Sequence, residues 1–142
     1  MERKKGWKII LFVVAGFALI VATTYGQKGR GQPMGMPQYD TATEVTLQGS
    51  ITKVESHAGR RGWNGTHLVV SFDSETLTVH VGPSNYVAQQ EFSFAAGERI
   101  EVTSSRIKFQ GADVLIAREI KKGDKVLTLR NSRGIPAWSR NR

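Results

Sequence analysis

A mainly β fold, a small OB-like barrel of five to six strands with one short helix, is predicted by three features of this sequence. From Thr41 onward, apolar and polar residues alternate in a succession of short runs, the period of half-buried strands. Gly49 interrupts the first run where another inward side chain would sit, as a bend in a small closed barrel requires. One helical stretch follows the third strand, so that three strands, a helix and further strands succeed one another within about 85 residues, the order of an OB-fold. The competing arrangement is a small open β-sandwich, and the position of the helix favours the barrel.

The first strand is read as Glu44 to Val54, with Val45, Leu47 and Ile51 on one face. A loop, Glu55 to Gly65 (ESHAGRRGWNG), leads to a second strand, Thr66 to Phe72, with Leu68, Val70 and Phe72 inward. A turn at Asp73 to Glu75 opens the third strand, Thr76 to Val81, with Leu77, Val79 and Val81 inward. Gly82 and Pro83 end it, and Pro83 suits the start of a helix over Ser84 to Glu91, which Phe92 and Phe94 close over. Arg99 to Thr103, Arg106 to Phe109, Val114 to Ile120 and Val126 to Arg130 follow as strands, separated by turns at Gln110 to Asp113 and Lys121 to Lys125. Asn131 to Arg142 is a basic tail containing Trp138.

The start of the chain has a different character. Arg3, Lys4, Lys5 and Lys8 precede the unbroken apolar and small-residue stretch Ile9 to Ala22, and no charge appears again until Lys28. A basic head before such a stretch is an export signal or a membrane anchor, with the N-terminus kept cytoplasmic. Residues 1–26 are therefore expected to be a cleaved signal peptide or a single-pass anchor. Residues 27–40, rich in Gly, Pro and Met, form a flexible tether. Residues 41–138 form the OB-like domain and 139–142 a basic end. Its place is then the periplasmic side of a cell membrane, or the free periplasm if the leader is cut.

The formal charge is +8, and four basic residues against Glu2 give the leader +3 of it, leaving +5 for the rest. Anionic partners are favoured by such a surface. Arg118, Lys121, Lys122, Lys125, Arg130, Arg133, Arg140 and Arg142 concentrate the excess near the C-terminus, where phospholipid headgroups are one available polyanion. Nucleic acid is not expected as a partner outside the cytoplasm. The chain has no cysteine, which excludes disulfides, thiolate metal sites, covalently attached haem, a lipoprotein anchor and a cysteine nucleophile. There is no GxSxG motif, no P-loop and no cluster of catalytic carboxylates, so a non-enzymatic role is expected.

Two groups of residues are candidates for binding. Arg60, Arg61 and Trp63 lie in the loop between strands one and two, which in an OB-fold flanks the binding face. Basic and aromatic residues there suit a stacked, anionic or sugar-like ligand. The second group is His67 and His80. A hairpin centred on residues 74 and 75 places Val69 opposite His80 and His67 opposite Gly82, making the two histidines diagonal neighbours on the outward face. With His57 from the preceding loop, and Asp73 or Glu55, they could hold a divalent metal. No other cofactor is expected.

Several runs resemble a known family. ATEVTLQGSITKV, GTHLVV, TVHVGP, ERIEVTSSRIKFQG and above all VLIAREIKKGDKVLTLRNSRGIPAW are similar to small exported bacterial proteins whose domain is like the C-terminal domain of the magnetosome proteins MamS and MamX. The resemblance covers roughly residues 40–138 and implies an OB-like barrel outside the membrane, usually behind an N-terminal anchor, without an assigned chemistry. Some of those relatives carry haem-attachment motifs that this cysteine-free chain lacks, so a redox role is not implied. Three functions remain open: an OB-like binding or accessory module of the cell envelope, a divalent-metal-binding protein, and a structural partner of a membrane complex through strand pairing.

Overall fold

The computed structural model describes residues 37–59 and 62–141. The expected leader, residues 1–26, and most of the expected tether lie outside the described residues. Among the described residues, no helix is long and apolar enough to cross a membrane.

Six strands form one sheet: β1 Glu44–Ala58, β2 Asn64–Phe72, β3 Thr76–Pro83, β4 Arg99–Phe109, β5 Ala112–Lys122 and β6 Lys125–Thr128, ordered β3-β2-β1-β4-β5-β6. A parallel pairing of Thr78–His80 with Val114–Ile116 joins β3 to β5 and closes the first five strands into a barrel. Closure removes the open-sandwich alternative and leaves β6 as an outer strand on β5. The inward residues read from alternation in the second and third strands belong to the core: Leu68, Val70 and Val79 are fully buried, and Phe72, Leu77 and Val81 nearly so, while β4 and β5 add the fully buried Val102, Leu115 and Ile120.

β1 is long because it serves two neighbours. Its first half pairs with β4 and its second half with β2, and Gly49 and Ser50 pair with both. Gly49 sits where the two ladders diverge, and a Cβ there would lie 2.6 Å from the Ser71 carbonyl oxygen and 2.8 Å from Phe72 Cδ1. The missing side chain is what lets β1 lie over β2 at the bend.

Several boundaries and one register differ from the sequence reading: β3 runs on through Gly82 to Pro83, β5 extends to Ala112 and Lys122, and β6 stops at Thr128 rather than Arg130. The loop expected over Glu55 to Gly65 is shorter, since β1 runs on to Ala58 and β2 begins at Asn64. Arg99–Thr103 and Arg106–Phe109 are one strand, β4, carried through Ser104 and Ser105. Both serines are fully buried, where the small side chains fit a bulge opposite Arg118. The helix α1 spans Ser84–Gln89 only, because Glu91 takes a positive φ of 53° and ends it. The β2–β3 hairpin turns tightly on Asp73 and Ser74, with the Phe72 amide donating to the Glu75 carbonyl at 2.8 Å. His67 therefore faces His80 directly, and Thr66, not His67, faces Gly82.

Both ends of the domain dock on the barrel. The Asp40 amide donates to Ser105 Oγ at 2.9 Å, and the Tyr39 hydroxyl donates to Glu44. After β6, the Arg118 carbonyl at the bulge accepts the Leu129 and Arg130 amides, and Asn131 organises a turn through Ile135. The 3-10 helix Ala137–Asn141 then lays Trp138 over Gly82, 5.4 Å between ring centroids from Tyr86 of α1. The Arg130 guanidinium lies between the rings of Tyr39 and Trp138, at 5.8 and 5.3 Å.

Candidate functional site

β1 and β2 are joined by residues 59–63, and the Gly59 amide donates to the Trp63 carbonyl at 2.5 Å. Trp63 is 47% exposed at its end, one of few large apolar side chains so placed. Beside it a shallow hollow of about 310 Å³ is lined by Gly62, Trp63, Asn64, Ser84 and Asn85. Arg60 and Arg61 lie outside the described residues. A larger hollow, about 510 Å³, opens at the β2–β3 turn, lined by three carboxylates, Asp73, Glu75 and Glu101, of which the two glutamates are engaged. Glu75 pairs with Arg106, and Glu101 accepts from Gln48 Nε2 at 3.0 Å.

The histidines occupy the outward face of the sheet leading away from that hairpin tip. Glu55 of β1, His67 of β2 and His80 of β3 are successive cross-strand partners, and His57 follows Glu55 on the same face of β1. The ring centroids of His67 and His80 are 4.1 Å apart, and those of His57 and His67 are 4.4 Å apart with their planes only 28° from parallel. Phe109, near the end of β4, meets His80 edge-on at 6.0 Å. Glu55 accepts from His57 Nε2 at 3.0 Å through one oxygen, and its other oxygen pairs with Lys53 at 3.0 Å. A carboxylate only accepts, so Nε2 of His57 carries the proton.

The position of His57 depends on a bulge. In the first half of β1 the odd-numbered residues point inward, and unbroken alternation would bury Glu55 and His57 with them. The β1–β2 register slips by one between Ile51 and Lys53, so Val54 faces Leu68 and Glu55 faces His67. That single extra residue turns Glu55 and His57 onto the histidine face. Asp73, the other acid expected to contribute, lies at the hairpin turn, about 20 Å along β2 from His67 at the usual strand rise.

Burial pushes His80 down to about 4, with His67 and His57 adding to the effect. Burial also lowers His67, helped by His57 and opposed by Glu55. Both rings are thus neutral near neutral pH. Among the described residues neither makes a hydrogen bond through its ring nitrogens, and no three His, Asp or Glu side chains converge on one point as they stand. A stability consequence follows from the sign of the shift. Below about 6.5 the unfolded chain protonates His80 and the folded chain does not, so stability falls as pH drops from about 6.5 toward 4. With allowance for partial exposure, about 1 to 2 kcal/mol should be lost between pH 7 and 5. Urea unfolding at the two pH values checks this, and His80→Gln should flatten the difference; an equal loss in that variant overturns the assignment.

Among the described basic residues of the C-terminal third, Arg118, Lys121 and Lys122 are paired with carboxylates, and the side chains of Arg140 and Arg142 lie outside the description. Arg118 grips Glu44 at 2.7 Å, Lys122 meets Glu98 at 3.0 Å, Lys121 lies 3.9 Å from Glu101, and Arg130 is stacked between two rings. Lys125 and Arg133 are exposed and outside any ion pair among the described residues. Arg106 draws in Glu75 and Asp113 and holds the Glu75 carboxyl below the usual range; Lys108, then Arg106, does the same for Asp113.

No curated protein matches the chain. Among solved structures it is similar to the N-terminal domain of PriB protein from Thermoanaerobacter tencongensis, described as dimeric, with 15% identity and a TM-score of 0.47 over 59% of this chain and 99% of that one. A profile of the MamS/MamX magnetosome protein family matches residues 43–127, from the start of β1 into β6. The quoted β1, β2, β3 and β4 runs, and the first half of the C-terminal block, fall almost wholly within that match. The chain therefore belongs to the MamS/MamX magnetosome protein family.

Proposed function

We propose that this protein is a non-enzymatic OB-like binding or accessory module, held at or exported across a bacterial cell membrane by residues 1–26, with its barrel on the periplasmic side. The ligand-facing element is the β1–β2 turn bearing Arg60, Arg61 and Trp63. Exposed Trp63, set at a shallow hollow on the rim of a closed barrel, carries the reading: a half-exposed indole is favourable where a partner covers it. The flanking arginines would select an anionic partner, either an envelope protein or an acidic glycan. The basic head and the apolar run Ile9 to Ala22 support the location.

One experiment tests both parts. A membrane-impermeant cross-linker added to spheroplasts should give adducts with the full-length chain, and Trp63→Ala should remove most of them. No reaction with the wild type overturns the location. Undiminished adducts in the variant overturn the role of the turn. A second reading, divalent-metal binding through His67 and His80, is supported by their direct opposition across β2 and β3.

A further inference from the structure

We infer that the hollow between Trp63 and the start of α1 is a subsite for one hexopyranose ring of a glycan, stacked on Trp63 and hydrogen-bonded by Asn64, Ser84 and Asn85. This rests on the ligand-facing role given above to Trp63, and it names the ring that Trp63 meets.

Strand register builds the hollow. The first residues of β2 run beside the last of β3, with Gly65 opposite Pro83 and Thr66 opposite Gly82. α1 begins at the next residue, which brings Ser84 and Asn85 up beside Trp63 and Asn64. Thr66 Oγ1 and Ser84 Oγ lie 2.8 Å apart and tie the two segments together. At about 310 Å³, the hollow lined by Gly62, Trp63, Asn64, Ser84 and Asn85 has room for a single six-membered ring. Sites for larger ligands run up to about 1,000 Å³.

The chemistry of the lining selects the ring. Trp63 is the one apolar side chain in it, and none of the lining side chains is ionisable. The core of a protein interface gathers several apolar side chains, which this hollow lacks. A charged group entering it would lose water without meeting an opposite charge. A pyranose ring needs neither. One of its faces carries C–H groups whose slight positive charge matches the negative face of an indole. Its edge carries neighbouring hydroxyls that both donate and accept, as side-chain amides and hydroxyls also do.

The groups that would meet it are available. Trp63 is 47% exposed. Asn64 is held by its backbone, opposite Ala58, and its side chain makes no hydrogen bond among the described residues. Asn85 Oδ1 accepts the Tyr86 amide at 2.9 Å, which fixes the side chain and leaves its amino group to donate elsewhere. Ser84 Oγ, shared with Thr66, retains capacity for a second bond. Trp63, Asn64 and Asn85 are exposed and Ser84 is half-buried, so a ring reaches all four from solvent.

The test uses the full-length protein in a detergent whose headgroup is not a sugar. The chain has three tryptophans, Trp7, Trp63 and Trp138, so three indole N–H signals in NMR tell this site from the others. Tetrasaccharides of glucose, mannose and N-acetylglucosamine are titrated in turn, with a tetraglutamate peptide as the arm for a protein-like partner. At least one sugar should move the Trp63 indole signal and the Asn64 and Asn85 side-chain amide signals together, while Trp7 stays still. Asn64→Ala and Asn85→Ala should each weaken its binding about fivefold, the loss of roughly one hydrogen bond. Trp63→Ala should weaken it about tenfold or more. The wild-type titration decides the matter even if a variant fails to fold. If no sugar moves these signals, the pyranose subsite is overturned, whether or not the peptide binds. The ligand-facing role of Trp63 then stands or falls separately, on the cross-linking described above. Sugar binding that both asparagine variants leave unchanged also overturns the subsite.

Discussion

Gly49→Ala should lower the stability of the domain by about 3 kcal/mol, the upper part of the range for overpacking a well-filled core. The added Cβ has nowhere to go. It would meet the Ser71 carbonyl oxygen at 2.6 Å, Phe72 Cδ1 at 2.8 Å and Val70 Cγ1 at 2.9 Å. The first of these is backbone in the neighbouring strand, so relief requires β1 and β2 to separate. The same residue pairs with Ile100 on its other side, which leaves β1 no direction to shift without breaking a second ladder. For a domain of this size the loss corresponds to a drop of roughly 12 to 24 °C in Tm. Thr52→Ala is the control. It gives up one hydrogen bond from the Thr52 hydroxyl to the Val69 carbonyl on an exposed bulge, and should cost well under 1 kcal/mol. Thermal melts of the two variants check the contrast, and a Gly49→Ala melt within 3 °C of wild type would show that the strands can part there without cost.

That glycine was readable from the sequence because it breaks an otherwise regular alternation, and the same alternation identified the core side chains of β1, β2 and β3. Other features leave no such trace. The turn Asp73-Ser74 contains no glycine to fix its centre, so the hairpin could be drawn with residues 74 and 75 at the tip. That choice moves the partner of His67 from His80 to Gly82 while keeping every residue on its face, which is why the core reading survives a wrong register. The bulge at Thr52 is a single extra residue with no distinguishing type, and it alone decides that His57 and Glu55 share a face with His67. Sequence thus named all three histidines and Glu55 as candidates, and the structure placed them on one face, with Glu55 bound to His57 and Asp73 far off at the hairpin turn. Ser104 and Ser105 misled in the opposite direction: polar residues in mid-run look like a break, but small side chains are what a crowded strand crossing tolerates. The pairings of the basic C-terminal residues join partners far apart in the chain, Arg118 with Glu44 among them, and local charge counting cannot find them.

The least legible feature is the C-terminal clasp, and Trp138→Ala should expose how much depends on it. Read from sequence, Trp138 is an aromatic residue in a basic tail. In the fold it covers Gly82, where a Cβ would come within 2.7 Å of its ring, and it packs on Tyr86 and on the Arg130 guanidinium. Arg130 has no carboxylate partner, its Nε is buried without a hydrogen bond among the described residues, and burial lowers its pKa. Its Nη1 donates to the Gly134 carbonyl at 3.0 Å and the two rings supply the rest of its compensation, so removing one ring leaves the cation more poorly compensated. Loss of the indole's packing and of this stacking together should cost about 2 to 4 kcal/mol. The effect should also travel. Tyr39 lies on the other side of Arg130 and against Gly134, so Trp138→Ala should speed amide exchange in residues 39–43 as well as in the last turn, on a segment distant in sequence. Trp138→Phe keeps a ring over the guanidinium and should recover about half of the stability. If exchange at residues 39–43 stays at the wild-type rate while Tm falls, the two ends of the domain are held independently, and Arg130 is not the link between them.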